Sequence, residues 1–176
     1  MYQEVIEQID CLQRSRLARV LLENKQLKYC DGPATKENGM YWIYTDYSCK
    51  DLIKSTPCPK KGSINFSTLT SRNSELKELC QVKINNFRLV YSGIGGVGQK
   101  GHGGLRERIL EEYRGGSGTG SLAIKGSSLS DLSRWKVSYV LWSELTFAKE
   151  YEYMPFSTAI EGLWRLQYGW PLLCSK

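Results

Sequence analysis

Four side chains, far apart along the chain, carry chemistry suited to a phosphate: the phenols of Tyr41 and Tyr91, the guanidinium of Arg108 and the carboxylate of Glu161. A guanidinium fork stabilises equatorial phosphate oxygens through charge-assisted hydrogen bonds. A lone carboxylate can hold one Mg²⁺ that keeps most of its waters. A phenol can relay a proton from water once it is activated, because its ordinary pKa of about 10 makes it a poor base at neutral pH. Each group lies in a recognisable setting. Gly39-Met40-Tyr41 opens one apolar run and Tyr91-Ser92-Gly93 closes another. Arg108 follows in Leu105-Arg106-Glu107-Arg108, and Glu161 lies in Ala159-Ile160-Glu161-Gly162-Leu163-Trp164, ahead of Tyr168-Gly169-Trp170-Pro171-Leu172.

These groups must be held by regular elements. Met40–Tyr44 is β-branched and aromatic, hence a predicted strand, with Tyr41 and Ile43 on one face and Trp42 and Tyr44 on the other. Phe87–Tyr91 is a second strand and runs into the glycine-rich stretch Gly93–Gly104. Leu105, Ile109 and Tyr113 recur at helical spacing, so Leu105–Tyr113 is a predicted helix. A third strand is predicted around Trp135–Trp142, and a last helix over Thr158–Tyr168, capped by Ser157 and stopped by Gly169 before Pro171. Upstream, Val5, Ile6, Ile9 and Leu12, then Leu17, Val20 and Leu21, predict helix from about Tyr2 to Tyr29, broken at Asp31-Gly32-Pro33. Between the first two strands, Ser48–Asn86 is polar and basic, with a predicted helix around Ser74–Val82.

The glycine-rich stretch contains a decoy. Gly93-Ile94-Gly95-Gly96-Val97-Gly98 matches GxGxxG, but a dinucleotide site needs a helix to open at the third glycine, and Gln99–Gly104 intervenes. The adjacent Gly-Lys-Ser/Thr of a phosphate-binding P-loop is also missing.

The 176 residues suit one domain and carry a net charge of +6. Residues 1–38 are neutral and 137–176 carry −1, whereas 39–91 carry +4 and 92–136 carry +3. A basic middle is compatible with a polyanion, nucleic acid being the commonest. No run reaches the eighteen or so apolar residues of a membrane span, and the first residues have no secretory pattern, so the expected compartment is the cytoplasm. Six cysteines lack CxxC spacing, which argues against a zinc ribbon and for reduced thiols.

The order of GMY strand, YSG strand, arginine helix and later glutamate before a proline resembles the GIY-YIG nuclease family, over residues 39–44 and 87–173. The resemblance implies a Mg²⁺-dependent DNA endonuclease, with Mn²⁺ as a substitute ion. Tyr41 would then be base or relay, Tyr91 would orient water or phosphate, Arg108 would clamp the phosphate and Glu161 would bind the metal. Glu112 stands where the family commonly has a His or Tyr after the arginine, and Ile94 where it often has a lysine. His102, the only histidine, is either an exposed loop residue or a proton carrier.

The fold class implied is α+β: a central three-stranded antiparallel sheet flanked by helices, with an N-terminal helical extension (1–38) and an insertion (46–86) in one domain. Lys50, Lys54, Lys60, Lys61 and Arg72 in the insertion, with Lys100 and Arg106, are candidate contacts to double-stranded DNA. A small nuclease with a large insertion is closest to type II restriction members of the family. A structure-specific repair or recombination nuclease and a non-catalytic DNA-binding module are the alternatives, and cutting both strands would need a homodimer or two nicks. Each residue also has a purely structural reading. The tyrosines could pack a sheet, Arg108 could pair with Glu112 and Glu161 with Arg165 at i+4, and Trp164, Tyr168 and Trp170 could serve packing rather than base stacking.

Overall fold

The computed structural model describes residues 2–96, 104–116, 120–146 and 153–175. Its elements are α1 (Tyr2–Ser15), β1 (Arg19–Glu23), β2 (Gln26–Cys30), β3 (Gly39–Thr45), α2 (Cys49–Lys54), α3 (Phe66–Asn73), β4 (Lys83–Ile84), β5 (Phe87–Gly95), α4 (Leu105–Arg114), β6 (Trp135–Leu141) and α5 (Tyr153–Tyr168). Four strands form an antiparallel sheet in the order β4-β5-β3-β6, and β1 and β2 form a separate hairpin. The fold is therefore α+β, but the main sheet has four strands rather than three. The extra strand, β4, is a two-residue turn-back onto the start of β5.

The period-two alternation along β3 divides the core as its sequence predicts. Tyr41 and Ile43 pack with Val90, Tyr91 and the α4 residues Leu105, Ile109 and Tyr113. Met40, Trp42 and Tyr44 pack on the other face with Val5, Ile6 and Ile9 of α1 and with Phe156, Ile160 and Trp164 of α5. Helices thus cover both faces, which is why all seven β3 residues are buried. Gln13 stitches the α1–α5 side: its amide donates to the Tyr44 hydroxyl at 2.7 Å and accepts from the Trp164 indole at 3.1 Å.

Three further expectations are corrected. The predicted helix to Tyr29 stops at Ser15, and residues 19–30 form the β1–β2 hairpin. Its two-residue turn, Asn24-Lys25, has both φ angles positive, a geometry that suits the twist of paired strands. Residues 74–82 are turns rather than helix; the helix lies earlier, at α3, where Asn65 caps it by accepting from the Thr68 N–H. Finally, α5 begins at Tyr153, so Ser157 is inside the helix, and its hydroxyl accepts from the Trp142 indole at 2.6 Å.

Candidate active site

The Arg108 site is built where α4 lies across β3 and β5. Beneath it β5 runs as strand through Gly95, and the two glycines of that end set the approach of the layers. A Cβ at Gly93 would stand 2.6 Å from the Tyr41 hydroxyl, and one at Gly95 would stand 2.7 Å from the Leu105 Cα. The glycine of Tyr91-Ser92-Gly93 therefore makes room for the phenol of Tyr41, and Gly95 lets the α4 backbone settle onto the strand. Tyr41 and Tyr91 are diagonal neighbours across the β3–β5 pair, their rings 6.3 Å apart and tilted by 40°.

Helical spacing on α4 then brings Arg108 and Glu112 to Tyr41, with Glu111 beside Arg108. Arg108 reaches Glu111 at 3.1 Å and Glu112 at 3.1 Å, at i+3 and i+4, and also donates to the Gly120 carbonyl at 3.0 Å. Glu112 is fully buried. Its Oε1 accepts the Tyr41 phenolic hydrogen bond at 2.7 Å, and its Oε2 accepts from the Leu122 N–H at 2.8 Å. Burial raises the Glu112 carboxyl above its usual range, opposed by Arg108, Tyr41 and the Leu122 amide. Burial and then the Glu112 charge push the Tyr41 phenol well above its ordinary value, and Tyr91 is raised for the same two reasons.

Glu161 sits on α5 at the β5 edge. Arg165 pairs with it at 2.8 Å, one helical turn on, with both side chains about one-sixth exposed. Arg165 also donates to the Ser92 hydroxyl at 3.1 Å, and its guanidinium lies 4.7 Å from the Trp170 ring centre. Burial raises the Glu161 carboxyl, opposed by Arg165, the Ser92 hydroxyl and Arg108. Tyr91 links the two halves of the site, since its phenol feels Glu112 and Arg108 as well as Glu161 and Cys174. The fold thus gathers Tyr41, Tyr91, Arg108 and Glu112 between α4 and β5 and sets Glu161 with Arg165 beside Ser92 of the same strand, with the structural pairings Arg108–Glu112 and Glu161–Arg165 also made.

Cys174 is held there as well, its thiol beside Ser92 and Arg165 and pushed up to about 11 by burial. The Leu173 N–H bonds to the Val90 carbonyl at 2.7 Å, so residues 172–174 lie along β5. Ser92 gave no chemical signal in the sequence, Cys174 only its place near where some restriction members of the resembled family have an asparagine after the proline, and Arg165 was legible only as a partner of Glu161.

The candidate DNA contacts separate. Lys50, Lys54 and Lys61 are exposed on residues 46–86. Lys60 reaches across to the Gly115 carbonyl at 2.8 Å, beside the end of α4. Arg72 bonds the side chain of Asn73, and Arg106 turns to the Pro33 carbonyl at 3.2 Å. Lys100 and His102 lie outside the described residues.

Among the described residues, no three carboxylate, cysteine or histidine side chains converge as a metal cage. Glu161 offers the smaller donor set that suits Mg²⁺, one carboxylate with water completing the shell, in competition with Arg165.

No family model, curated protein or solved structure matches the chain. No helix among the described residues is long and apolar enough to cross a membrane.

Proposed function

We propose that the chain is a Mg²⁺-dependent DNA endonuclease of the GIY-YIG type, acting in the cytoplasm, in either a type II restriction or a structure-specific role. The observation that carries this reading is the Tyr41–Glu112–Arg108 chain of contacts beside Tyr91, with Glu161 within electrostatic reach. It supplies the groups that phosphodiester hydrolysis needs: a proton acceptor, a cation for the phosphoryl oxygens and a hard oxygen donor for a metal.

Burial and the neighbouring Glu112 charge, which raise the Tyr41 phenol, disfavour a standing phenolate. It suits a relay instead: the phenol passes its proton to Glu112 as it takes one from the attacking water, and never carries a full charge. Glu112 is the stronger base for being desolvated. Arg108 steadies charge on Glu112 before the reaction and on the phosphate during it, and Tyr91 orients the water or the phosphate. Glu161 would hold Mg²⁺, with Mn²⁺ as a substitute, and the bound ion would supply Lewis-acid stabilisation of the phosphate and leaving oxygen.

The test incubates supercoiled plasmid with protein and Mg²⁺, beside Glu161→Ala, Arg108→Ala and Glu112→Gln. Nicking or cutting by the wild type alone supports the reading, and cleavage unchanged in all three variants overturns it. Discrete ends support restriction; preference for flaps or junctions supports a repair nuclease. The ion pairs at both carboxylates favour one other reading, a DNA-binding module without catalysis. Salt-sensitive DNA binding with no cleavage under any divalent ion would select it.

A further inference from the structure

Two surface grooves meet at Trp170. One, of about 450 Å³, is lined by Arg72, Asn73, Leu76, Lys77, Glu78 and Trp170. The other, of about 460 Å³, shares Glu78 and Trp170 and continues to Glu161 and Arg165. Together they run from the basic end of α3 to the carboxylate proposed to hold the metal.

The indole at their junction is a fixed platform. Its Nε1 donates to the Cys174 carbonyl at 3.1 Å. Its backbone is tied on both sides, the N–H to the Glu78 carbonyl at 2.7 Å and the carbonyl to the Cys80 N–H at 2.9 Å. Asn73 anchors the same segment, donating to the Leu172 and Cys174 carbonyls at 2.9 and 3.1 Å. The ring is nonetheless only half-buried. Arg165 lies over the ring from the second groove, and Trp170 also lines the first groove, where Arg165 does not. Leu76 is 43% exposed beside it, and Arg72 and Lys77 rim it with positive charge.

We propose that this groove seats one unpaired nucleotide of the DNA substrate, its base stacked on Trp170 and its phosphate held by Arg72 and Lys77. The chemistry matches on each count. A rigid, partly exposed indole is a sequence-tolerant surface for a base. Two cations at the rim suit a phosphate, and a groove of this volume accommodates a nucleoside-sized group. Glu78 and Glu161 oppose the phosphate, yet Arg72, Lys77 and Arg165 outnumber them. A duplex keeps its bases stacked internally, so only a flap, bubble or frayed strand can use the platform without the cost of unstacking. This inference rests on the nuclease reading and selects its structure-specific form over restriction, with the unpaired nucleotide seated in the groove that leads to Glu161.

The experiment measures binding of a fluorescent flap DNA and of a blunt duplex of the same sequence, without divalent ions. The flap is expected to bind more tightly. Trp170→Ala should weaken flap binding by about 5- to 160-fold, the range for losing one base–aromatic stack, and leave duplex binding unchanged. Trp170→Phe should restore most of the loss. Arg72→Glu with Lys77→Glu, both exposed positions, should weaken flap binding and lower its salt slope even if Trp170→Ala fails to fold. Equal binding of flap and duplex, or flap binding indifferent to Trp170→Ala and to the charge reversals, overturns the inference. So does self-association abolished by Leu76→Glu, because a second copy would then occupy the groove. Trp170-dependent flap binding with no cleavage under Mg²⁺ removes the nuclease reading alone; cleavage indifferent to Trp170 removes the stacking site alone.

Discussion

Tyr41 gives its phenolic hydrogen bond to Glu112 at 2.7 Å, and neither side chain is open to solvent. A strand residue and a helix residue 71 positions apart thereby share one proton between two groups that burial disfavours as anions. Arg108, at 3.1 Å from the same carboxylate oxygen, is the cation that makes the arrangement tolerable.

Breaking that pair should separate stability from chemistry. Tyr41→Phe keeps the ring and removes the donor; Glu112 retains Arg108 and the Leu122 amide. The expected loss is about 1–3 kcal/mol by urea unfolding, with plasmid nicking abolished. Glu112→Ala leaves the largely buried Arg108 with Glu111 and Gly120, and should cost about 3–5 kcal/mol. Wild-type nicking by Tyr41→Phe would remove the relay.

The pH dependence should follow Glu161. Its folded value is raised, chiefly by burial, so its carboxylate forms only above that raised value and is lost as pH falls through it. The acid limb of the cleavage rate is therefore expected above the ordinary carboxylate pKa of about 4.3. The linked stability effect has the opposite sense: the folded chain binds this proton more tightly, so the stability contributed by Glu161 falls as pH rises from the ordinary to the raised value. Arg165→Ala removes the largest lowering influence and should move the acid limb to higher pH in rate–pH profiles.

Arg165 should also govern the cation. It holds Glu161 at 2.8 Å, so Mg²⁺ must compete with a resident guanidinium. Calorimetric titration should find Mg²⁺ bound more tightly by Arg165→Ala than by the wild type, and not at all by Glu161→Ala. Identical titrations for all three proteins would exclude Glu161 as the ligand.

Three glycines should respond differently to alanine. At Gly93 the new methyl meets the Tyr41 hydroxyl at 2.6 Å, and at Gly95 it meets the Leu105 backbone at 2.7 Å. Each is expected to cost about 1–3 kcal/mol, with Gly95→Ala the worse because backbone must move. Gly162, inside α5 with nothing within 4 Å, should instead gain about 0.4–1 kcal/mol. Thermal melts of the three variants check the order.

Much of the scaffold is legible from local pattern. The alternation Tyr41/Ile43 against Trp42/Tyr44 assigned both core faces, and the i, i+4 recurrence of Leu105, Ile109 and Tyr113 fixed the buried side of α4. Gly169 ends α5 with φ at +92°, as its place before Pro171 suggested. The misses come where distant ties outweigh local spacing. Leu17, Val20 and Leu21 have helical spacing, yet Ala18 pairs with Val137, and the Asn24-Lys25 turn folds the chain into a hairpin. Residues 74–82 are likewise shaped by their pairing with Trp170, more than eighty positions away.

The site divides the same way. From the residue string alone came the identities and order of Tyr41, Tyr91, Arg108 and Glu161, and the i+4 reach of Arg108 to Glu112 and of Glu161 to Arg165, because helix and strand periods are local properties of the backbone. Only the folded chain decided that Glu112 is fully buried and bonded to Tyr41, that Ser92, Cys174 and Trp170 adjoin Arg165, and that Arg72 and Lys77 rim a groove leading to Glu161. Burial and the sum of nearby charges set those properties, and both depend on which distant segments the tertiary packing brings within a few ångströms.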